Sequence, residues 1–374
     1  MNQMHQALAI TGWGVISPIG IGRENFTRAF WNLESGSKPM PAQAGNAPLG
    51  EACYVDDFET TRHLGSRGTR SMDRTTAMAV ATVGMALKDS GIDPAHEASR
   101  IGVVLGTSTG SMKSIVDFTR ETLVQERPYL VNPALFPNTV MNCAAGQSAI
   151  WHKLRGVNAT ISGGHLSALL ALKYASLTIR RGYSDVLLTG GVEEFCEPSA
   201  WAYWHTCQES GRKQRLLGEG CAVCVVEHPL AARARRRAIK AEILGCEVGV
   251  FPGLNGDAVR NQAAGLACCI GRALARASVR PNEVAAVSSC HRGIPELDRA
   301  EDAGINMAFD GNPPAEQLCV TDLVGDCVSA SGMFQLSALL AYFDRRGEDG
   351  CVGVIPSMGS DGHLGCVLVR SVKQ

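Results

Sequence analysis

The chain has 374 residues, is 45% hydrophobic and 19% charged, and carries a formal net charge of -1. Its length supports two core units, and its balanced charge excludes bulk electrostatic attraction to nucleic acid or to a membrane surface. Residues 1–5 lack the basic and apolar regions of a signal peptide, and no stretch is apolar for long enough to span a bilayer, so the expected location is the cytoplasm. The 14 cysteines are then expected to be free, buried thiols. Cys221 and Cys224 form the one Cys-x-x-Cys, inside a run that reads as a strand. Residues three apart on a strand point to opposite faces, so a shared metal is not expected, and no other metal or cofactor motif stands out.

In chain order, residues 7–16 read as a buried strand ending in a glycine turn, and residues 24–63 as irregular. A helix is expected over 73–89, with Asp73 as N-cap and Met78, Ala81, Met85 and Ala86 as its apolar stripe. A buried strand follows at 101–106, then helices near 112–123 and 144–154. Thr160 and Ile161 run into the turn Ser162-Gly163-Gly164, then His165 and an Ala/Leu-rich helix ending at Arg180-Arg181-Gly182. This strand, turn and helix make an elbow. It presents one side chain at a helix N-terminus, where unpaired N–H groups and the dipole favour negative charge.

Beyond the elbow, strands are expected at 185–190 and 221–226 with a loop between them, and a short Ala/Arg helix over 229–238. The rhythm then repeats. Strands are expected near 243–250, 284–289, 318–321, 351–355 and 365–369, with helices near 258–277, 299–309 and 330–345. Each part offers about five apolar strands among helices, which implies covered sheets in two similar α/β halves, 1–228 and 229–374.

Four stretches together resemble the β-ketoacyl synthase family: Ile-Thr-Gly-Trp-Gly-Val-Ile-Ser-Pro-Ile-Gly (10–20), Asp-Val-Leu-Leu-Thr-Gly-Gly-Val-Glu (185–193), Gly-Glu-Gly-Cys-Ala-Val-Cys-Val-Val-Glu (218–227) and Ala-Ser-Gly (330–332) before an apolar helix. The resemblance implies a thiolase-like αβαβα layered fold with two pseudo-duplicated halves. It also implies a site at the elbow, where active members hold the acyl chain on a cysteine. Aligned without gaps, His165 stands at that cysteine. Imidazole does not hold a long-lived thioester, and the helix dipole favours its neutral form.

The family's two further histidines polarise the thioester and stabilise the enolate. His291 is matched to the first, with Asp298 and Glu301 as the later acidic pair, although the spacing is one residue short. At the second motif, Thr321 stands for the lysine and Asp326 for the histidine; Gly359–Leu364 stands for the late glycine-rich loop. A carboxylate at position 326 would repel the enolate where a donor is worth roughly 3–4 kcal/mol.

A scaffold retained while its site is dismantled resembles a chain-length factor. That is a non-catalytic ketosynthase-like subunit, which pairs with an active ketosynthase and lines the chain tunnel of type II polyketide or fatty-acid-like biosynthesis. The partners so implied are that ketosynthase and an acyl carrier protein. Tunnel-lining candidates are Met112, Ile115 and Phe118, and the interface falls to residues 128–156 and 158–161. The alternative is an acyltransferase or condensing enzyme using His165 as base, with His291 and Asp326 in the same pocket. Cys143, His205 and His363 are read as structural, and the basic run 233–240 as a solvated face.

Overall fold

The computed structural model describes residues 6–40, 45–210, 215–251 and 258–373. Residues 1–5, read above for a signal peptide, lie outside them.

The first half contributes strands β1 (Leu8–Ser17), β2 (Ile101–Gly106), β3 (Asn158–Ile161), β4 (Val186–Glu193) and β5 (Gly220–Glu227). Its helices are α1 (Arg23–Trp31), α2 (Arg74–Ser90), α3 (Met112–Val124), α4 (Cys143–Trp151), α5 (Ser167–Arg180) and α6 (Glu197–Ser210). The second half contributes β6 (Ala241–Val250), β7 (Val284–Ser288), β8 (Glu316–Leu318), β9 (Val352–Met358) and β10 (His363–Ser371), with α7 (Ala258–Ala277), α8 (Pro295–Ala308) and α9 (Ser331–Arg346).

The strand orders match strand for strand. In the first half it is β3-β2-β4-β5-β1, and in the second β8-β7-β9-β10-β6. In each, the first three strands are parallel and the last two are antiparallel additions. Among the described residues, the two five-stranded sets pair edge to edge where Leu8, Ala9 and Ile10 of β1 meet Ile243, Glu242 and Ala241 of β6. Helices α5 and α9 pack between the sheets, α2 and α4 cover one outer face, and α7 and α8 the other. This is the αβαβα stack that the resemblance implied, and it covers both faces of the apolar strands.

The local chemistry follows the sequence closely in places. Asp73 caps α2, its carboxylate accepting the Thr76 N–H at 2.7 Å. Phe334 on α9 is fully buried and stacks on Phe26, with ring centroids 6.5 Å apart. Cys221 and Cys224 enter separate apolar clusters on opposite faces of β5. Glu219, just before β5, is buried and accepts from Arg74, Val55 N and Phe195 N, tying three segments together.

Four expectations are corrected. The stretch 24–63 is not wholly irregular, because Phe26, Ala29 and Phe30 line one face of α1 and are buried. The loop expected before β5 contains α6, whose apolar residues form no single stripe; Trp201, Trp204 and His205 pack on one another instead. The strand expected at 318–321 ends at Leu318, and Thr321 opens the short helix Thr321–Val324. The basic run, read as solvated, is partly tied down: Arg235 pairs with Glu97 and Glu227, Arg237 donates to Ser90 O, and the nearly buried Lys240 lies 3.3 Å from Asp89.

Candidate functional site

The elbow exists because β3 stops at Ile161 and the chain must reverse before α5. Gly164 makes the reversal at φ +55°, a backbone region that side chains other than glycine's rarely enter. The Ser167 hydroxyl accepts the Gly163 N–H at 3.0 Å and donates to Gly164 O at 2.6 Å, closing the turn on itself. Gly106 at the end of β2 lets the turn approach, since a Cβ there would lie 2.6 Å from the Ser167 backbone. His165 sits in the single helical turn Gly164–Leu166 that leads into α5.

Its side chain enters a cavity of about 300 Å³. Met112, Ala202, Leu217, Ile294 and Val328 supply apolar wall; Glu193, Arg292 and Asp326 supply charge. The Nε2 atom of His165 lies 3.1 Å and 3.2 Å from the two Asp326 oxygens. Asp326 also accepts the Val328 N–H at 3.0 Å, and Arg292 Nε donates to it at 3.5 Å. Asp326 and Arg292 are both buried, their side chains 3% and 9% exposed.

Burial and the Arg292 guanidinium hold the His165 imidazole below its ordinary pKa, against the pull of Asp326. Burial would raise the Asp326 carboxyl, but His165, Arg292 and the Val328 N–H hold it well below the carboxylate range. A neutral ring donating Nε2–H to an ionised carboxylate satisfies both directions. That tautomer leaves the Nδ1 lone pair unused.

Of the positions singled out from sequence, His165 and Asp326 meet in this cavity, and Met112 lines it. Ile115 and Phe118 are not among its lining residues; Phe118 packs on Phe136, with ring centroids 5.8 Å apart. His291 does not converge with His165. It turns outward to Asp302 at 2.8 Å, and Cys319, with Glu301 and Asp302, pushes its pKa up to about 10 although burial opposes this. Thr321 lies behind it, donating to His291 O at 2.8 Å and accepting from Arg215.

Arg292 takes the place in the cavity that sequence reading gave to His291. The acidic pair explains the offset: Asp298 accepts the Arg292 N–H at 2.7 Å and Glu301 the Cys290 N–H at 2.8 Å. These anchors set the loop's register, and the shortened spacing was the available signal. Glu193 was also missed as a site residue, although it closes the Gly-Gly-x-Glu stretch. Ser108 Oγ at 2.8 Å and Ser329 Oγ donate to it, yet burial pushes its pKa up to about 7. Cys207 on α6 also lines the cavity.

The pattern of the Beta-ketoacyl synthase N-terminal domain matches residues 5–231, and that of the C-terminal domain residues 241–346. The chain belongs to the β-ketoacyl synthase family, and its fold is that of the thiolase-like ketosynthases. Its structure is similar to that of the ishigamide ketosynthase/chain length factor, with a TM-score of 0.87 and 33% identity over 98% of this chain and 99% of the other. It is 27% identical over 365 residues to the 3-oxoacyl-[acyl-carrier-protein] synthase 2 of Vibrio harveyi, covering 90% of this chain and 86% of that one. It is 29% identical over 324 residues to an actinorhodin polyketide beta-ketoacyl synthase 2 of Streptomyces coelicolor, covering 81% and 77%. Among the described residues, no helix is long and apolar enough to cross a membrane.

Proposed function

We propose that this chain is the non-catalytic, chain-length-factor-like subunit of a type II polyketide or related synthase. It pairs with an active ketosynthase, serves acyl chains delivered by an acyl carrier protein, and divides into halves 1–228 and 229–374. The observation that carries the reading is the seat at the elbow. His165 stands where the acyl-holding thiol would, and Asp326 binds it at 3.1 Å, an ionised carboxylate in place of an enolate-stabilising donor. Charge of that sign works against the condensation transition state.

Pairing is supported by an unpartnered apolar face. Leu123, Val124, Tyr129, Phe136 and Ile150 are all more than half exposed on α3, α4 and the segment between them. Beside them β3 ends the sheet, its outer edge unpaired among the described residues. An obligate interface buries on the order of 2,000–5,000 Å² and is apolar, which suits such a face. The resemblance to a ketosynthase/chain length factor supports a ketosynthase as the occupant. Fourteen cysteines, none in a disulfide among the described residues, suit a reducing, cytoplasmic location.

Co-expression with a cysteine-bearing ketosynthase, followed by size analysis and a condensation assay, tests this. A stable 1:1 pair that condenses malonyl and acyl carriers, with this chain alone inactive, is expected. A solo homodimer that condenses them overturns it.

A further inference from the structure

We propose that the His165–Asp326 pair, with Arg292, forms a water-activating site that hydrolyses acyl thioesters entering the cavity. The subunit reading holds the chain inactive in condensation; this activity is a hydrolysis, goes beyond that reading and does not require it. Three observations carry it. His165 gives Nε2–H to Asp326, which leaves Nδ1 as a base and Asp326 placed to stabilise the imidazolium. Arg292 is buried, yet its guanidinium makes only long contacts, 3.5 Å from Nε to Asp326 and 3.4 Å from Nη1 to Met358 O. The guanidinium lines the cavity beside His165 and Asp326. A buried cation held only by long contacts on a cavity wall is placed to stabilise a developing oxyanion.

The cavity names the ligand class. Met112, Leu217, Ile294 and Val328 line the same cavity as this charged group. A ligand with an apolar chain and a carbonyl head fits, and about 300 Å³ suits a short chain.

The step balances without another reactant. Water oxygen attacks the thioester carbon while its proton passes to His165 Nδ1, and the carbonyl electrons move onto oxygen beside Arg292. Collapse breaks the C–S bond, and the departing sulfur takes the proton back from Nδ1. The products are a free acid and a thiol.

The probe is hexanoyl-N-acetylcysteamine, with free hexanoic acid measured by chromatography. Wild type, His165→Gln, Asp326→Asn and Arg292→Met are compared, each with its melting curve and its elution beside the ketosynthase. Acid release by wild type at least tenfold above His165→Gln and above buffer is expected, with a loss in Arg292→Met that remains after normalising for folded protein. Wild-type release no faster than His165→Gln overturns the proposal. Intact pairing without hydrolysis overturns this proposal alone, whereas hydrolysis without pairing overturns the subunit reading alone.

Discussion

Asp326 holds both carboxylate oxygens within 3.2 Å of His165 Nε2, although the two residues are 161 positions apart. The contact joins the elbow of the first half to a turn of the second. It also places a charge where burial alone would forbid one, and Arg292 is its counter-ion. Removing one member of a buried ion pair typically costs about 3–5 kcal/mol, because the other is left uncompensated. Asp326→Asn is therefore expected to lower unfolding stability by about 3 kcal/mol in urea titrations at neutral pH. His165→Gln, whose amide can still donate to Asp326, is expected to cost only about 1 kcal/mol. An Asp326→Asn protein as stable as wild type would show that the ion pair is not holding the site.

Glu193 makes stability fall as pH rises. Its pKa is about 7 in the folded chain because it is buried, against an ordinary value of 4.5. Between those values the unfolded chain releases a proton that the folded chain keeps, so the native state loses stability with rising pH. The full effect is about 3 kcal/mol, reached above pH 7. Glu193→Gln should remove this slope, so that its stability gains on wild type between pH 5 and pH 8. Parallel stability curves for the two proteins would contradict the assignment.

The exposed apolar face gives a test by association. Leu123 and Ile150 are 80% and 72% exposed, so a glutamate at either costs little in the isolated chain. In an apolar interface the same charge would be desolvated without a partner. Leu123→Glu and Ile150→Glu should therefore leave melting unchanged while abolishing co-elution with the ketosynthase. Retained co-elution in both would place the interface elsewhere.

Met112 and Phe118 lie on the same helix but should behave differently. Met112 lines the cavity, whereas Phe118 packs on Phe136. In a reconstituted pair, Met112→Ala should lengthen the chains released, because it enlarges the space beside His165. Phe118→Ala should weaken association and leave chain length unchanged. Mass spectrometry of the products, with size analysis of the pairs, separates the two effects. Longer products from Phe118→Ala alone would instead favour the tunnel role that the sequence suggested for it.

The sequence by itself determined two α/β halves with covered sheets, and its resemblance to the ketosynthases implied their layering. Burial makes strands continuous in hydrophobicity and caps make helix ends local, so β2, α2, β5 and α7 can be read from their own residues. It also located the elbow, because Gly163, Gly164 and His165 are neighbours in the chain, and it named Asp326 through its motif. Two helices escaped: α6 has no single apolar stripe because its rings pack on one another, and α1 is short, with only Phe26, Ala29 and Phe30 on its buried face. The partner of His165 was decided only in three dimensions. Asp298 and Glu301 fix the register of the loop after β7 through backbone N–H groups, and that register swings His291 outward and Arg292 into the cavity. The shortened spacing marked the offset, but side chains six and eleven positions away set the register through backbone N–H groups, so it took the folded chain to show that Arg292 and not His291 lines the cavity.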